Sequence, residues 1–364
     1  MKAAVVYKPN VPMEVVEVEQ QGPQAGEARV KVKATGVCHS DWHIINGDWP
    51  LPLPMVCGHE AAGLVEEVGP GVTHVRRGQH VIFSFRPQCG RCANCSSGRS
   101  ILCEGYASAR WAMLDGSFRL RRNGEDIRQM ARLGTFAEYV VCPAEMLVPI
   151  REDMPWAQAA LIGCAVPTGV GAVAHAARVE AGASVLVVGC GGVGLNVVQG
   201  ARLVGAGTIL ASDLLDNKLT FARQFGATHT VNARREDVLE RVRELTGGRG
   251  VDYAFDAIGS EATTLQILDA VRPGGTAVIV GMAPAAARAP IAPYTMALQE
   301  KTLKGTLYGS VRPVVDFPRL VDLYMQGRLK LDELISRTYR LEDINKGFAA
   351  LTAGEVARGV VVFD

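Results

Sequence analysis

The stretch Gly189-Cys190-Gly191-Gly192-Val193-Gly194 narrows what this chain can fold into more than any other. Before it stands Val185-Leu186-Val187-Val188, an apolar run of the kind a strand shows when both its faces are covered. After it, residues 193–204 carry helical periodicity. A chain that passes from strand to helix in so few residues needs glycine at three places. Gly189 permits the turn, Gly191 lets the backbone approach a pyrophosphate, and Gly194 lets the helix lie on the strand. Gly192 and Val193 open the helix, whose first N–H groups have no partner within it and so favour an anion. The pattern predicts a dinucleotide-binding turn.

The residues that follow keep strand and helix alternating. Strands are expected at 208–212, 251–255 and 276–280, and helices at 217–225, 235–245 and 262–271. Such alternation gives an α/β fold, a doubly wound parallel sheet of the Rossmann type covered on both faces. Asp213 closes the second strand, 19 residues after Gly194. A carboxylate there accepts both ribose hydroxyls and repels a 2′-phosphate, which favours NAD over NADP.

Residues 1–150 read differently. Short β-rich segments at 5–7, 13–18, 29–34, 63–68 and 80–84 are separated by glycine and proline. Arg29-Val30-Lys31-Val32-Lys33 alternates, as a strand with one wet face does. The expectation is an antiparallel β domain. Residues 318–364 add two helical segments and a strand at 359–363, which returns most simply to that first domain. A length of 364 residues and 48% hydrophobic content provide two domains with a core each. The expected division is 1–165 with 308–364, and 166–307.

A net charge of +1 offers no electrostatic case for nucleic acid or an anionic membrane surface, and neither is expected as a partner. The most apolar stretch, 184–198, is too short to span a bilayer and is broken by glycines and Asn196. Residues 3–7 are too few for a signal core, so a cytoplasmic protein is expected. In a reducing compartment the nine cysteines are not a disulfide framework, which leaves metal ligation.

Four of them form one local pattern, Cys89-x2-Cys92-x2-Cys95-x7-Cys103. Two-residue gaps let the backbone wrap an ion, and the fourth thiolate closes a tetrahedral shell. A closed shell has no position for water, so this zinc is expected to be structural. Cys38, His59-Glu60 and Cys164 are also of ligand type, but they are scattered and each alone is weak. A lone buried cysteine is more often a small hydrophobe.

Taken together, the motifs carry a resemblance. Gly58-His59-Glu60-x2-Gly63, the four-cysteine loop, Gly163-Cys164-x2-Pro167-Thr168-Gly169 and the glycine turn occur in one order and spacing. In this the chain resembles the zinc-dependent medium-chain alcohol dehydrogenases. The resemblance runs on through Lys304-Gly305 to Arg358 and covers essentially the whole chain. It implies that the β-rich domain is GroES-like and catalytic, with the active site in the cleft between the domains. By position, Cys38, His59 and Cys164 match the catalytic zinc ligands. That Cys2His set is the one the family is known for, so it rests on the resemblance and not on spacing. Three ligands leave one position for an alcohol oxygen.

Further roles follow from the same resemblance. Asp41 matches the position that hydrogen-bonds the ligating histidine, and Glu60 an acidic position beside the zinc. Ser40 and His43 match a proton relay that runs through the cofactor ribose. Arg358 and His39 match positions facing the pyrophosphate, His39 standing where some members have arginine. Lys218 lies near the adenosine ribose, and Thr168 and Val193 press the nicotinamide toward the zinc. Trp49, Phe85, Leu102, Met282 and Leu307 line the alcohol cleft with Ser40, an apolar set that rejects charged alcohols. Ser40 lacks the methyl of the threonine many members carry, which makes room for a ring. The expected enzyme reversibly oxidises aromatic or medium-chain primary alcohols to aldehydes. It holds two Zn2+ per chain and NAD, and forms a homodimer or homotetramer through the Rossmann sheet edge.

Three rival readings remain. A non-catalytic zinc-binding scaffold on this fold has no need of Cys38, His59, Cys164 and Asp213 together. A glutathione-dependent formaldehyde dehydrogenase carries an acidic residue near the position of Trp49 and an arginine near that of Ala107, and neither is present. Asp115-Gly116-Ser117-Phe118-Arg119, Leu133-Gly134-Thr135-Phe136 and Leu329-Lys330-Leu331-Asp332-Glu333-Leu334 resemble actinobacterial nicotinoprotein alcohol dehydrogenases. Those retain NAD through turnover and pass electrons to an external acceptor.

Overall fold

The alternation at residues 29–33 becomes the long strand Glu27–Val37 in the computed structural model, which describes residues 1–106 and 110–364. Side chains along it are buried alternately as far as Ala34, then continuously to Val37, where the strand reaches the interior. The strands Ala61–Val68, Tyr139–Pro143 and Arg358–Val362 all pair with it antiparallel. This sheet continues outward through His80–Phe83 and Leu147–Pro149 on one side and Ile335–Tyr339 on the other. A second sheet runs Glu14–Glu17, Lys2–Val6, Met55–Val56, Glu125–Gln129, Leu120–Arg122, Glu19–Gln20. Both belong to one compact unit, Met1–Cys164 with Arg312–Asp364.

The antiparallel expectation needs correction at two places. Ile335–Tyr339 and Arg358–Val362 are parallel, because the helix Ile344–Thr352 between them provides the crossover that parallel strands require. Met55–Val56 and Glu125–Gln129 are parallel as well. The main core of this unit gathers Val5, Ile44, Met55, Phe136 and Phe348, and Trp42, Trp49 and Trp111 pack against it.

The second unit is Ala165–Val311. Its six strands lie in the order His229–Asn232, Thr208–Asp213, Ser184–Val188, Val251–Asp256, Val271–Ile279, Thr302–Gly305, and every neighbouring pair is parallel. Counted along the chain this is 3-2-1-4-5-6, the doubly wound order, in which a ligand sits where the order reverses. Ser184–Val188 therefore occupies the central position, and the glycine turn leaves its carboxyl end. Leu186, Val188, Leu210, Ala254 and Ile267 fill the core. The two outermost strands were not expected. Among the described residues, no helix is long and apolar enough to cross a membrane.

Candidate active site and metal centres

Strand Glu27–Val37 delivers Cys38 to the start of the helix His39–Ile45, which carries Ser40, Asp41 and His43. Strand Met55–Val56 leads through Cys57-Gly58 to His59 and Glu60. Gly58 has φ +97, and a methyl on it would fall 2.5 Å from Thr135 Oγ1, so only glycine brings His59 to this place. Cys164 follows the helix Trp156–Leu161.

These segments converge. One ligand-type atom from each of Cys38, His59, Glu60 and Cys164 lies within 4.8 Å of the others, and all four residues are buried. His59 Nε2 is 3.2 Å from Cys164 Sγ, and its Nδ1 is 3.1 Å from Asp41 Oδ1. The same Asp41 oxygen accepts the Gly58 N–H at 2.8 Å. Arg358 Nη2 donates to Glu60 Oε2, a buried ion pair that the resemblance did not anticipate; the expected role of Arg358 was at the pyrophosphate. Glu60 Oε1 and Asp41 Oδ2 are buried with no hydrogen-bond partner.

A hydrogen bond from Cys164, helped by Arg358 and His59, holds the Cys38 thiol well below its usual range. The same bond, together with burial, pushes Cys164 well above it. Burial opposes a charge on His59, but the Asp41 carboxylate and Cys38 outweigh it and hold the imidazole well above its usual range. Burial pushes the Glu60 carboxyl up to about 7 against the pull of Arg358. Two sulfurs, one imidazole and an orphaned carboxylate oxygen around one point fit a divalent cation, which displaces such protons. The edge of Phe85 meets the His59 ring, with centroids 5.4 Å apart.

The four-cysteine loop forms a second candidate metal centre. The Cys89, Cys92, Cys95 and Cys103 sulfurs also lie within 4.8 Å of one another, and none of the nine cysteines is in a disulfide. Backbone N–H groups provide the charge-stabilising contacts. Cys92 Sγ accepts from Cys95 N at 3.4 Å, and Cys103 Sγ from Cys89 N at 3.3 Å. Backbone donors at Glu104 and Cys95 lower Cys92 to about 6, whereas burial pushes Cys95 up to about 12. Four cysteine sulfurs gathered this closely fit a closed tetrahedral site.

In the second unit, Gly191 caps the helix Gly192–Leu203 without any side-chain cap bond, leaving the first N–H groups for an anion. A methyl on Gly191 would meet no protein atom within 4 Å, whereas one on Gly194 would fall 1.7 Å from Gly189 O. Gly194 therefore has a steric reason inside the protein. Gly191 has none, which fits a cradle kept open for a ligand. Asp213 Oδ2 accepts Cys190 N at 2.8 Å and Oδ1 accepts Leu215 N at 3.1 Å, so its carboxylate is pinned beside the turn. Lys218 is buried on the helix Asp216–Phe225, and Thr168 on Ala165–Gly171. Val193 is half-buried and His39 exposed.

The expected pocket residues divide between the units, with Trp49, Phe85 and Leu102 in the first and Met282 and Leu307 in the second. One face of Trp49 is taken by the His43 ring, with centroids 4.8 Å apart. Leu102 and Met282 are exposed, at 44% and 49%. Ala107 lies outside the described residues. Sequence reasoning missed a concentration of positive charge next to Phe85. Burial and the neighbouring Arg110 and Arg132 together lower Arg86 to about 10. Three arginines far apart in sequence leave no local signal. It also missed Asp48, although the Asn46-Gly47-Asp48 turn marks the end of the site helix.

Comparison with known proteins gives two family matches. Residues 24–152 match the alcohol dehydrogenase GroES-like domain, and residues 192–326 match the zinc-binding dehydrogenase domain. The chain is 42% identical to an NDMA-dependent alcohol dehydrogenase of Amycolatopsis methanolica, over 99% of this chain and 98% of that one. It is 41% identical to an S-(hydroxymethyl)glutathione dehydrogenase of Paracoccus denitrificans, over 100% and 99%. The crystal structure of benzyl alcohol dehydrogenase from Acinetobacter calcoaceticus superposes with a TM-score of 0.94 at 31% identity, covering 100% of this chain and 99% of that one.

Proposed function

Because this chain belongs to the zinc-dependent medium-chain alcohol dehydrogenases, we propose that it oxidises aromatic or medium-chain primary alcohols reversibly to aldehydes with NAD. It is an oxidoreductase that works with zinc and a nicotinamide cofactor. The observation that carries the reading is the buried meeting of Cys38, His59, Glu60 and Cys164.

Cys38, His59 and Cys164 would hold the catalytic zinc, and Cys89, Cys92, Cys95 and Cys103 a structural one. When bound, the catalytic zinc supplies a Lewis acid that makes the alcohol a stronger acid, and the nicotinamide supplies the hydride acceptor. Asp41 keeps the His59 ring turned so that Nε2 faces the ligand position. Glu60 stays beside it, held by Arg358. Gly191 and Gly192 would receive the pyrophosphate, and Gly194 would let their helix lie close on the strand. Asp213 and Lys218 address the ribose, and Thr168 and Val193 the nicotinamide. For each alcohol oxidised one proton leaves for solvent, through Ser40 and His43. Phe85 stands against His59 and would form the ring-accepting wall of the site. Thr302–Gly305 is a mostly exposed edge strand, and Tyr294 and Leu298 are exposed nearby in sequence, which supports a homodimer or homotetramer built on this edge.

The test is steady-state kinetics with NAD on ethanol, hexanol and benzyl alcohol. Benzyl alcohol is expected to give the highest kcat/KM; ethanol equal or better would overturn the substrate class. The likeness to an NDMA-dependent enzyme supports a second reading, in which NAD stays bound and an external acceptor reoxidises it. Under that reading activity needs the acceptor and not added NAD. The likeness to an S-(hydroxymethyl)glutathione dehydrogenase carries less, since Trp49 stands where that activity places an acidic residue.

A further inference from the structure

The helix His39–Ile45 ends in a short turn that places one carboxylate on the His43 ring. His43 Nδ1 is 2.8 Å from Asp48 Oδ2. That oxygen also accepts from Asn46 Nδ2 at 2.8 Å, and the Asp48 N–H donates to Asn46 Oδ1 at 3.1 Å. Gly47, with φ +83, makes the tight reversal between them. The Trp49 N–H then donates to the His43 carbonyl at 2.9 Å, and the Trp49 ring lies over the imidazole with an interplanar angle of 26°. The ring plane of His43 is thus fixed by stacking, and its Nδ1 edge by a carboxylate.

From this geometry we propose that Asp48 is a positioning residue for the proton relay. Its carboxylate fixes the neutral imidazole of His43 in the tautomer that carries its proton on Nδ1, so that Nε2 is the atom that exchanges protons.

The chemistry is direct. An ionised carboxylate only accepts hydrogen bonds, so the nitrogen facing it must be the one bearing hydrogen. The hydrogen bonds from Asn46 and then His43 hold the Asp48 carboxyl below its usual range, which keeps it an acceptor. In alcohol oxidation Nε2 takes one proton, Asp48 balances the imidazolium, and the same proton then leaves to water; no other bond changes. Asp41, two residues before His43, is turned to Gly58 and His59 instead. Among the described residues, no other charged side chain hydrogen-bonds or ion-pairs with the His43 ring.

This rests on the reading of His43 as the relay base, so the experiment separates the two. Asp48→Leu, Asp48→Glu, His43→Gln and the double variant His43→Gln/Asp48→Leu are compared for kcat in alcohol oxidation. The ring tautomer in wild type and in the two single Asp48 variants is read from ¹⁵N shifts of labelled histidine. Asp48→Leu is expected to lose about three- to tenfold in kcat, a modest loss because the pair is partly exposed and water can replace the carboxylate. The Nδ1–H signature should fade in Asp48→Leu and return, with most of the rate, in Asp48→Glu. Adding Asp48→Leu to His43→Gln should change nothing further. A further loss in the double variant, or an unchanged tautomer in a slowed Asp48→Leu, would mean that Asp48 acts only through the turn and would overturn the proposal. Full activity of Asp48→Leu beside a slowed His43→Gln would overturn it while leaving the relay. Full activity of His43→Gln would overturn both.

Discussion

Replacing Gly191 and Gly194 by alanine, one at a time, should separate cofactor binding from folding within a single turn. At Gly194 the new methyl falls 1.7 Å from Gly189 O, where ordinary contact begins at 3.4 Å. Neither partner is a side chain that can swing away, so the helix must move off the strand. Overpacking of this kind costs about 3 kcal/mol or more. For a domain of this size that is a fall in Tm of roughly 6–12 °C. At Gly191 the methyl meets no protein atom within 4 Å, and φ is −76, which alanine adopts freely. Alanine is a poorer N-cap than glycine by about 0.5–1 kcal/mol, and it gains about 0.4–1 kcal/mol by restricting the unfolded chain. Those terms offset, so Tm should stay within about 3 °C. The open side of Gly191 is where the pyrophosphate would lie, so NAD binding should weaken at least ~10-fold, about 1.4 kcal/mol. Differential scanning calorimetry and titration calorimetry with NAD, on protein stripped of nucleotide, give both numbers. Wild-type NAD affinity in Gly191→Ala would refute the cradle, and a wild-type Tm in Gly194→Ala would refute the steric argument.

The two candidate metal centres should respond differently to losing a ligand. Cys38→Ala should lose activity and about one zinc while keeping its Tm within a few degrees, whereas Cys92→Ala should unfold well below wild type, because a structural zinc contributes its binding energy to folding. Atomic absorption showing one zinc in fully active wild type would contradict this. Asp213→Gly should weaken NAD use and improve NADP use, read as the ratio of kcat/KM for the two cofactors. A ratio unmoved by the substitution would remove Asp213 from the ribose.

Local spacing made part of the molecule legible. The glycine turn and the four-cysteine loop each form within a few residues, so their chemistry is written contiguously. The strands at 208–212 and 251–255 carry enough buried residues to stand out. His229–Asn232 and Thr302–Gly305 did not, because edge strands need few apolar residues: only Val231 and Asn232 of the first, and none of the second, are buried. The hairpin of Leu120–Arg122 and Glu125–Gln129 had a readable signal in Asn123-Gly124, whose φ values of 53 and 81 suit a tight hairpin turn. The buried quartet of Cys38, His59, Glu60 and Cys164 was reached through resemblance alone, since its members come from three distant segments. The pairing of Glu60 with Arg358 crosses 298 residues, and no pattern in the sequence joins them.

That separation has a consequence for biosynthesis. The chain leaves the first unit at Cys164 and re-enters it at Arg312, so the whole of the second unit is made while the first is incomplete. Ala165–Val311 is continuous and can condense as it emerges. Glu60, by contrast, waits for its counter-charge through 298 further residues, roughly 15–60 s at ordinary elongation rates. Until then a carboxylate destined for the interior has only water to stabilise it, and burying it unpaired would cost about 3–5 kcal/mol. The late strand Arg358–Val362 thus acts as the clasp of the first unit. Chains released before Arg358–Val362 should keep Glu60 without its counter-charge and leave Glu27–Val37 without one of its antiparallel neighbours.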